Sequence, residues 1–260
     1  MTGSRADTAA QFSRQAEAYA ASASHATDAD LDIVADFAAA VRRDRCLDVA
    51  CGPGHTALRI ARTAGFVVAA DIAPGMLAAS RRLAGERGLS NVAVQYADAA
   101  ALPFPAAAFD LVTCRIAPHH FPDVPGFVRE VARVLKPAGR FVLEDSLAPE
   151  APGPAAFLDE LERRRDATHV RTLDRQQWLD VLTDAGLRLT REHVFAKTHD
   201  FAAWVRRTGL DGEAIADIEA WILSTPESAR ALLLDMGGDK IVRLHDNKLI
   251  VRAEFGSPEG

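Results

Sequence analysis

The sequence predicts an α/β fold with a mostly parallel sheet and helices on both faces. Two observations predict it. Short apolar runs at residues 46–49, 66–70, 92–96, 109–113 and 140–145 are separated by segments with helical spacing of apolar residues. Strands alternating with helices in this way require parallel pairing through right-handed crossovers. The first run also enters a glycine turn, Cys51-Gly52-Pro53-Gly54, directly before a helix over residues 55–64 that offers Leu58, Ile60 and Ala61 to the sheet. Two glycines there let the backbone take positive φ and approach a ligand closely, and strand–turn–helix junctions of this kind bind nucleotides.

Asp48 makes the first strand unusual. Dinucleotide-binding enzymes fill this strand with apolar residues and hold a pyrophosphate at the following helix N-terminus, where a carboxylate would repel it. An aspartate four residues before Gly52 suits a ligand carrying a cation. S-adenosylmethionine has a sulfonium, an ammonium and a ribose diol, and no phosphate. The second strand ends in Asp71, seventeen positions after Gly54, where a ribose diol needs an acceptor; the alternative for Asp71 is the N-cap of the helix starting near Pro74. Met76, in the first turn of that helix, is placed either on the adenine or in the core. After the third strand, Asp98 is suited to accept the exocyclic amine of adenine or, alternatively, to form a turn.

Five motifs in order resemble the class I S-adenosylmethionine-dependent methyltransferases, in particular the type 11 group that includes ubiquinone- and menaquinone-biosynthesis enzymes. They are Leu47-Asp48-Val49-Ala50-Cys51-Gly52-Pro53-Gly54, Asp71-Ile72-Ala73-Pro74-Gly75-Met76-Leu77, Asp98-Ala99-Ala100-Ala101-Leu102-Pro103-Phe104, Phe109-Asp110-Leu111-Val112-Thr113, and residues 130–140 before the fifth strand. Two positions depart from the pattern: Ala50 stands where glycine is frequent, and Ala138 replaces the first glycine of a Gly-Gly turn. The resemblance implies a Rossmann-like, seven-stranded, mostly parallel sheet whose last strand is antiparallel. It also implies binding of S-adenosylmethionine, and of its product S-adenosylhomocysteine, by Asp48, Ala50, Gly52, Gly54, Asp71, Ile72, Met76, Asp98, Ala99 and Arg115.

Composition fits one compact enzyme: 260 residues, 48% hydrophobic and 25% charged. A formal net charge of −6 argues against a nucleic-acid partner, which requires a basic face. The run Arg163-Arg164-Arg165 is expected to be a solvated helix face. Cys46, Cys51 and Cys114 lie in or beside predicted buried strands without metal-ligand spacing, so reduced thiols and a cytoplasmic location are expected. Residues 1–7 carry no apolar run of the kind a signal peptide needs, and no 18-residue apolar stretch occurs, so neither a signal peptide nor a membrane span is expected.

The expected organisation is an N-terminal helical cover (1–43), an S-adenosylmethionine-binding core (44–197), a helical insertion (198–238), and the last strand with the C-terminus (239–260). In the cover, Phe12, Ala16, Tyr19 and Ala20 share one helical face, and Leu31, Val34, Phe37, Ala38 and Val41 another. Strand six is expected over 187–197, after a helix bearing Trp178, Val181 and Leu182 that Gly186 closes. The last strand follows at 248–255. Helical patterning at 201–207, 215–223 and 228–234 fills the interval, and an insertion of this length is expected to form a lid or binding element.

The substrate side is expected beyond strand four, at Arg115-Ile116-Ala117-Pro118-His119-His120-Phe121, which resembles a His-His-Phe segment of the family. His119 or His120 is a candidate to take a proton from the acceptor; the competing role is to shape the loop. Phe12, Tyr19, Phe201 and Trp204, with His120, are candidates for an apolar acceptor pocket. No metal is expected, because no Cys or carboxylate has recognisable spacing to the paired histidines. The expected function is methyl transfer from S-adenosylmethionine to a small, partly apolar acceptor, by a monomer or homodimer. Two alternatives remain open. One is a protein that binds S-adenosylmethionine without transferring methyl; the other is a Rossmann-type oxidoreductase, against which Asp48 argues.

Overall fold

The computed structural model describes residues 5–21 and 29–255. Those parts of the expected segments that fall at 1–4, 22–28 and 256–260 lie outside the described residues. Two helices, α1 (Arg5–Ala21) and α2 (Ala29–Ala38), precede the sheet. The first half follows as β1 (Arg45–Val49), α3 (His55–Ile60), β2 (Phe66–Asp71), α4 (Pro74–Glu86), β3 (Val92–Tyr96) and β4 (Phe109–Arg115). A 3-10 turn over Pro118–His120 leads to α5 (Val124–Val134) and β5 (Leu135–Leu147), then α6 (Pro152–Arg165), α7 (Arg175–Asp184) and β6 (Leu187–Asp200). The chain ends with α8 (Phe201–Arg206), α9 (Gly212–Ser224), α10 (Glu227–Arg230), β7 (Leu234–Gly237) and β8 (Lys240–Phe255).

The sheet order is β3-β2-β1-β4-β5-β8-β6, with β7 paired to β8. Strands β1 to β5 run parallel, and β8 enters antiparallel between β5 and β6. The chain therefore winds outward from β1 through β2 to β3, then crosses back to β4 on the other side. Open α/β sheets bind ligands at such a reversal, beyond the carboxyl ends of the strands.

Alternation along the strands feeds both faces. Cys46, Val67 and Ala69 pack with Val34 and Phe37 of α2 and with Ala57 and Ile60 of α3. Leu47, Val49, Val68 and Ala70 face the other way, toward Phe127 and Val131 of α5 and Trp178 and Leu182 of α7. Side-chain caps set the helix starts: Asp123 accepts the Gly126 N–H at 2.8 Å, and Asp174 with Gln177 forms a reciprocal capping box on α7. Among the described residues no helix is long and apolar enough to cross a membrane.

The C-terminal third differs from the sequence expectation in three ways. Strands β6 and β8 run past the sheet, pairing Thr198 with His245 and Asp200 with Arg243, so β8 begins at Lys240 and not at 248. The expected helix over 228–234 is a single turn, Glu227–Arg230, and Leu234 opens an eighth strand. Pairing with the extended β8, and burial of Leu234 against Leu244, override the local helical pattern there. Finally, Phe201 and Trp204 do not turn toward the carboxyl edge of the sheet. They are buried with Val205, Ile215, Ile218 and Ile222 against Phe157, Leu158 and Leu161 of α6.

The arginine run lies on the same structure. The Arg165 guanidinium sits 4.1 Å over the Trp204 ring and pairs with Glu162 at 2.9 Å, while Arg164 covers Trp221 at 4.6 Å. Arg165 is therefore a largely buried lid on an indole, and not the solvated residue that a charge run suggests. Trp204→Ala is expected to cost about 3–5 kcal/mol of stability through the cavity it leaves, with cofactor affinity of the folded protein unchanged. Chemical denaturation beside calorimetric titration checks this. Lost affinity at unchanged stability would return Trp204 to the ligand.

Candidate active site

Asp48 is tolerated in a buried strand because its oxygens meet two donors. Thr113 Oγ1 of β4 donates at 2.7 Å, and the Ala57 N–H in the first turn of α3 donates at 3.0 Å. One carboxylate thus joins β1, its neighbour β4 and the helix that follows the glycine turn. Complete burial pushes Asp48 up to about 7, although both hydrogen bonds and the charge of Arg115 act in the opposite direction.

The turn itself is a run of left-handed backbone: Ala50 at φ +51°, Gly52 at +54° and Gly54 at +91°. A Cβ at Gly54 would strike Ser80 of α4, so this glycine serves the packing of helix on strand and does not line the cavity. A Cβ at Gly52 would meet no protein atom, which leaves that space to a ligand. Asp71 holds the turn from β2, accepting Gly52 N–H on Oδ2 and Ala73 N–H on Oδ1, each at 2.8 Å. The N-cap of α4 is Ala73, so Asp71 is not the capping residue. Burial raises Asp71 above the ordinary carboxylate range, with those N–H bonds opposing it. With the Ile72 N–H as a further donor, the carboxylate still keeps a lone pair for a ligand hydroxyl.

One cavity opens at the carboxyl ends of β1 to β4. Asp48, Ala50, Gly52, Asp71, Ile72, Met76, Asp98, Ala99 and Arg115 all line it. Asp98 closes its own turn by accepting the Ala100 N–H at 2.9 Å. Arg115 is anchored at 2.8 Å to Glu144 of β5 and lies 3.6 Å from Asp30 of α2, which Lys197 of β6 meets at 2.8 Å. Burial pushes Glu144 up to about 8 despite Arg115. Asp30 falls below its ordinary value because Glu144, Arg115 and Lys197 together outweigh its burial.

The other side of the cavity is built by Thr8, Phe12 and Tyr19 of α1, by Ile116, His120 and Phe121 after β4, and by Thr168 and Val170 of the loop after α6. Helix α1 is held there by Ser13 Oγ, which accepts the Gly75 N–H at 3.2 Å, and by Tyr19 O, 3.2 Å from His55 Nε2. Ile116 sits at φ +52°, an uncommon conformation for a β-branched residue that costs about 1–3 kcal/mol and clusters at functional sites.

The two adjacent histidines part company. His120 lines the cavity, with Phe12 edge-on at 5.1 Å. His119 does not line it; its Nδ1 lies 2.6 Å from Asp145 Oδ1, and its ring stands 4.1 Å from that of His120. Burial disfavours the His119 cation, but Asp145 outweighs it and raises the group above its ordinary value. His120 is driven well below its ordinary value by burial and by His119. Phe201 and Trp204 do not line the cavity and are not acceptor contacts in this structure. Thr8 falls one turn before Phe12 on the same face of α1 and could have been found by that spacing, whereas Thr168 and Val170 carry no motif or periodicity, only the polar cluster Asp166-Ala167-Thr168-His169 beside them.

Comparison with known proteins agrees with this geometry. The methyltransferase domain family matches residues 47–143. The uncharacterized methyltransferase YcgJ of Bacillus subtilis is 34% identical over 233 residues, covering 88% of this chain and 92% of its own. The chain belongs to the class I S-adenosylmethionine-dependent methyltransferases. A solved protein of Bacillus halodurans C-125, 32% identical, superposes on the methyltransferase with a TM-score of 0.85 over 88% of this chain and all of its own (100%). The 27-O-demethylrifamycin SV methyltransferase of Amycolatopsis mediterranei is 34% identical over 189 residues, 68% of this chain and 67% of its own.

Asp48 titrates from an ordinary value of 3.8 in the unfolded chain to about 7 in the folded methyltransferase. Its folded value is the higher one, so its contribution to stability is fully present below the unfolded value and is lost as pH rises through about 7. Asp48→Asn keeps the shape: the amide oxygen accepts from Ala57 and the amide nitrogen donates to Thr113. The variant is expected to gain in unfolding midpoint relative to the wild type as pH rises from about 4 to about 7, and to keep a constant lead above that. Parallel pH profiles for the two proteins would show that Asp48 does not titrate in this window.

Proposed function

We propose that the cavity binds S-adenosylmethionine through its three carboxylates and transfers the methyl group to a small, partly apolar acceptor held against α1. The observation that carries this reading is the charge pattern. Asp48, Asp71 and Asp98 stand at the ends of three adjacent strands, all lining one cavity. Together they suit a ligand that offers a cation, a diol and an exocyclic amine, and they disfavour a phosphate. Asp71 would accept from the ribose hydroxyls and Asp98 from the adenine amine, with Ile72 and Met76 packing on the base. The open backbone at Ala50 and Gly52 would receive the amino-acid end, where ionised Asp48 favours a positive charge and Arg115 a carboxylate.

S-adenosylmethionine, when bound, supplies a methyl group on a good leaving group, so little further chemical assistance is required. The protein's work is to hold the acceptor in line and to exclude water, which is worth up to about 7–11 kcal/mol in favourable systems. Phe12, Tyr19, Phe121 and Val170 give the acceptor side a largely apolar wall, with Thr8, Thr168 and His120 as its polar points. A small-molecule acceptor is also what the similarity to the 27-O-demethylrifamycin SV methyltransferase supports.

Calorimetric titration with S-adenosylmethionine and S-adenosylhomocysteine, followed by a labelled-methyl screen over small phenols, amines and carboxylic acids, tests the reading. Binding without any labelled product would favour a non-methylating protein of the same fold. Asp71→Ala is expected to weaken S-adenosylhomocysteine binding by at least about 1.5–3 kcal/mol, the range for hydrogen bonds to a charged group. The loss has two sources, the ribose contact and the freed Gly52 turn. Unchanged affinity would confine Asp71 to bracing the turn.

A further inference from the structure

The loop after α6 meets the His119–His120 turn through the backbone: Val170 N–H and Arg171 N–H both donate to His119 O, at 2.9 and 3.1 Å. At the head of that loop Asp166 is buried, and its Oδ1 collects three donors. Thr168 Oγ1 donates at 2.6 Å, Thr168 N–H at 2.9 Å and Gln11 Nε2 of α1 at 2.9 Å. Those contacts, with the nearby His120, keep Asp166 below the ordinary carboxylate range against its burial, so it is ionised and can only accept.

This fixes the direction of the next hydrogen bond. A threonine hydroxyl has one proton, and Thr168 gives it to Asp166. Toward His120 Nδ1, 3.2 Å away, Thr168 Oγ1 can then only accept. The proton between them therefore belongs to Nδ1, and in a neutral ring the lone pair is on Nε2. We propose that Asp166 and Thr168 are positioning residues for methyl transfer: they hold His120 as the neutral Nδ1–H tautomer, whose Nε2 lone pair takes the proton of an O–H or N–H acceptor in the cavity. This rests on the methyltransferase reading of the cavity and adds a proton route to it.

The step balances. The acceptor's O–H or N–H bond breaks and its proton goes to His120 Nε2; the freed electron pair forms the bond to the methyl carbon; the methyl–sulfur bond breaks with its pair left on sulfur. The charged and titratable groups around His120 explain how the ring waits and then accepts. His119, bound to Asp145, and His169, bound to Asp159 at 3.0 Å, both disfavour a further cation and keep His120 neutral before reaction. Asp166, behind Thr168, favours the cation that forms when the proton arrives.

The tautomer is readable without an acceptor. The full chain, labelled with 15N-histidine, would be examined by long-range 1H–15N spectroscopy, with His120→Gln assigning the signal. The wild type is expected to show a protonated Nδ1 and a lone-pair Nε2 for His120 at pH 7 and still at pH 6. Thr168→Val, nearly the same shape without the hydroxyl, and Asp166→Asn are expected to convert most of the population to the Nε2–H form, which free imidazole side chains favour. Thr168→Ser is expected to restore the wild-type pattern. An Nε2–H or doubly protonated His120 in the wild type at pH 7 overturns the proposal, as does an unchanged tautomer in folded Thr168→Val. S-adenosylhomocysteine affinity, measured on the same samples, separates the two readings: its absence in the wild type would count against the cofactor site and leave the tautomer result standing on its own.

Discussion

A carboxylate that is buried but satisfied organises this site. Asp48 occupies the second-last position of β1, at the reversal of the sheet, and bridges Thr113 of β4 and the first turn of α3. Removing water from it is costly, as its raised proton affinity records. That cost is tolerable only because each oxygen has a donor, one from the neighbouring strand β4 and one from the helix that follows the glycine turn. The position of the turn relative to both strands therefore follows from one side chain.

Around that point the structure spends stability to hold geometry. Asp71 is buried to clamp Gly52. Glu144, Arg115, Asp30 and Lys197 carry ionisable groups into the join between α2, β4, β5 and β6. Ala50 and Ile116 adopt left-handed backbone at the ends of β1 and β4. Each feature is unfavourable in isolation, and all lie along one edge of the sheet. Local choices that conflict with stability concentrate where a ligand must be received.

The cover divides its labour differently from what its composition suggests. The insertion is rich in aromatic residues, yet Phe201, Trp204 and Trp221 close a core of their own with α6. The cavity wall instead comes from α1 and from the loop of Thr168 and Val170. An insertion carried on a long β6–β8 ladder has backbone pairing to keep it in place, but its own apolar faces still need burying, and aromatic side chains serve that first. That side of the cavity is instead lined by segments clipped to the starts of α3 and α4 through Tyr19 and Ser13, and to the turn after β4 through His119.

That Asp48, Gly52, Asp71 and Asp98 meet at one end of the sheet was legible in the sequence, because strand, turn and helix there are local and these residue types have few other uses in that order. The alternation of strands and helices likewise determined a parallel sheet before any contact was known. Tertiary structure decided what depends on partners distant in the chain. The second role of Asp71 as a clamp needs Gly52 beside it, and the opposite fates of His119 and His120 need Asp145 on one side and Thr168 with Asp166 on the other. The strand at Leu234–Gly237 exists because β8 extends to meet it. None of these pairings has a period or a motif of its own: Gly52 and Asp71, His119 and Asp145, and His120 and Thr168 lie 19, 26 and 48 residues apart, and β7 is a strand only because the neighbouring β8 extends back to pair with it.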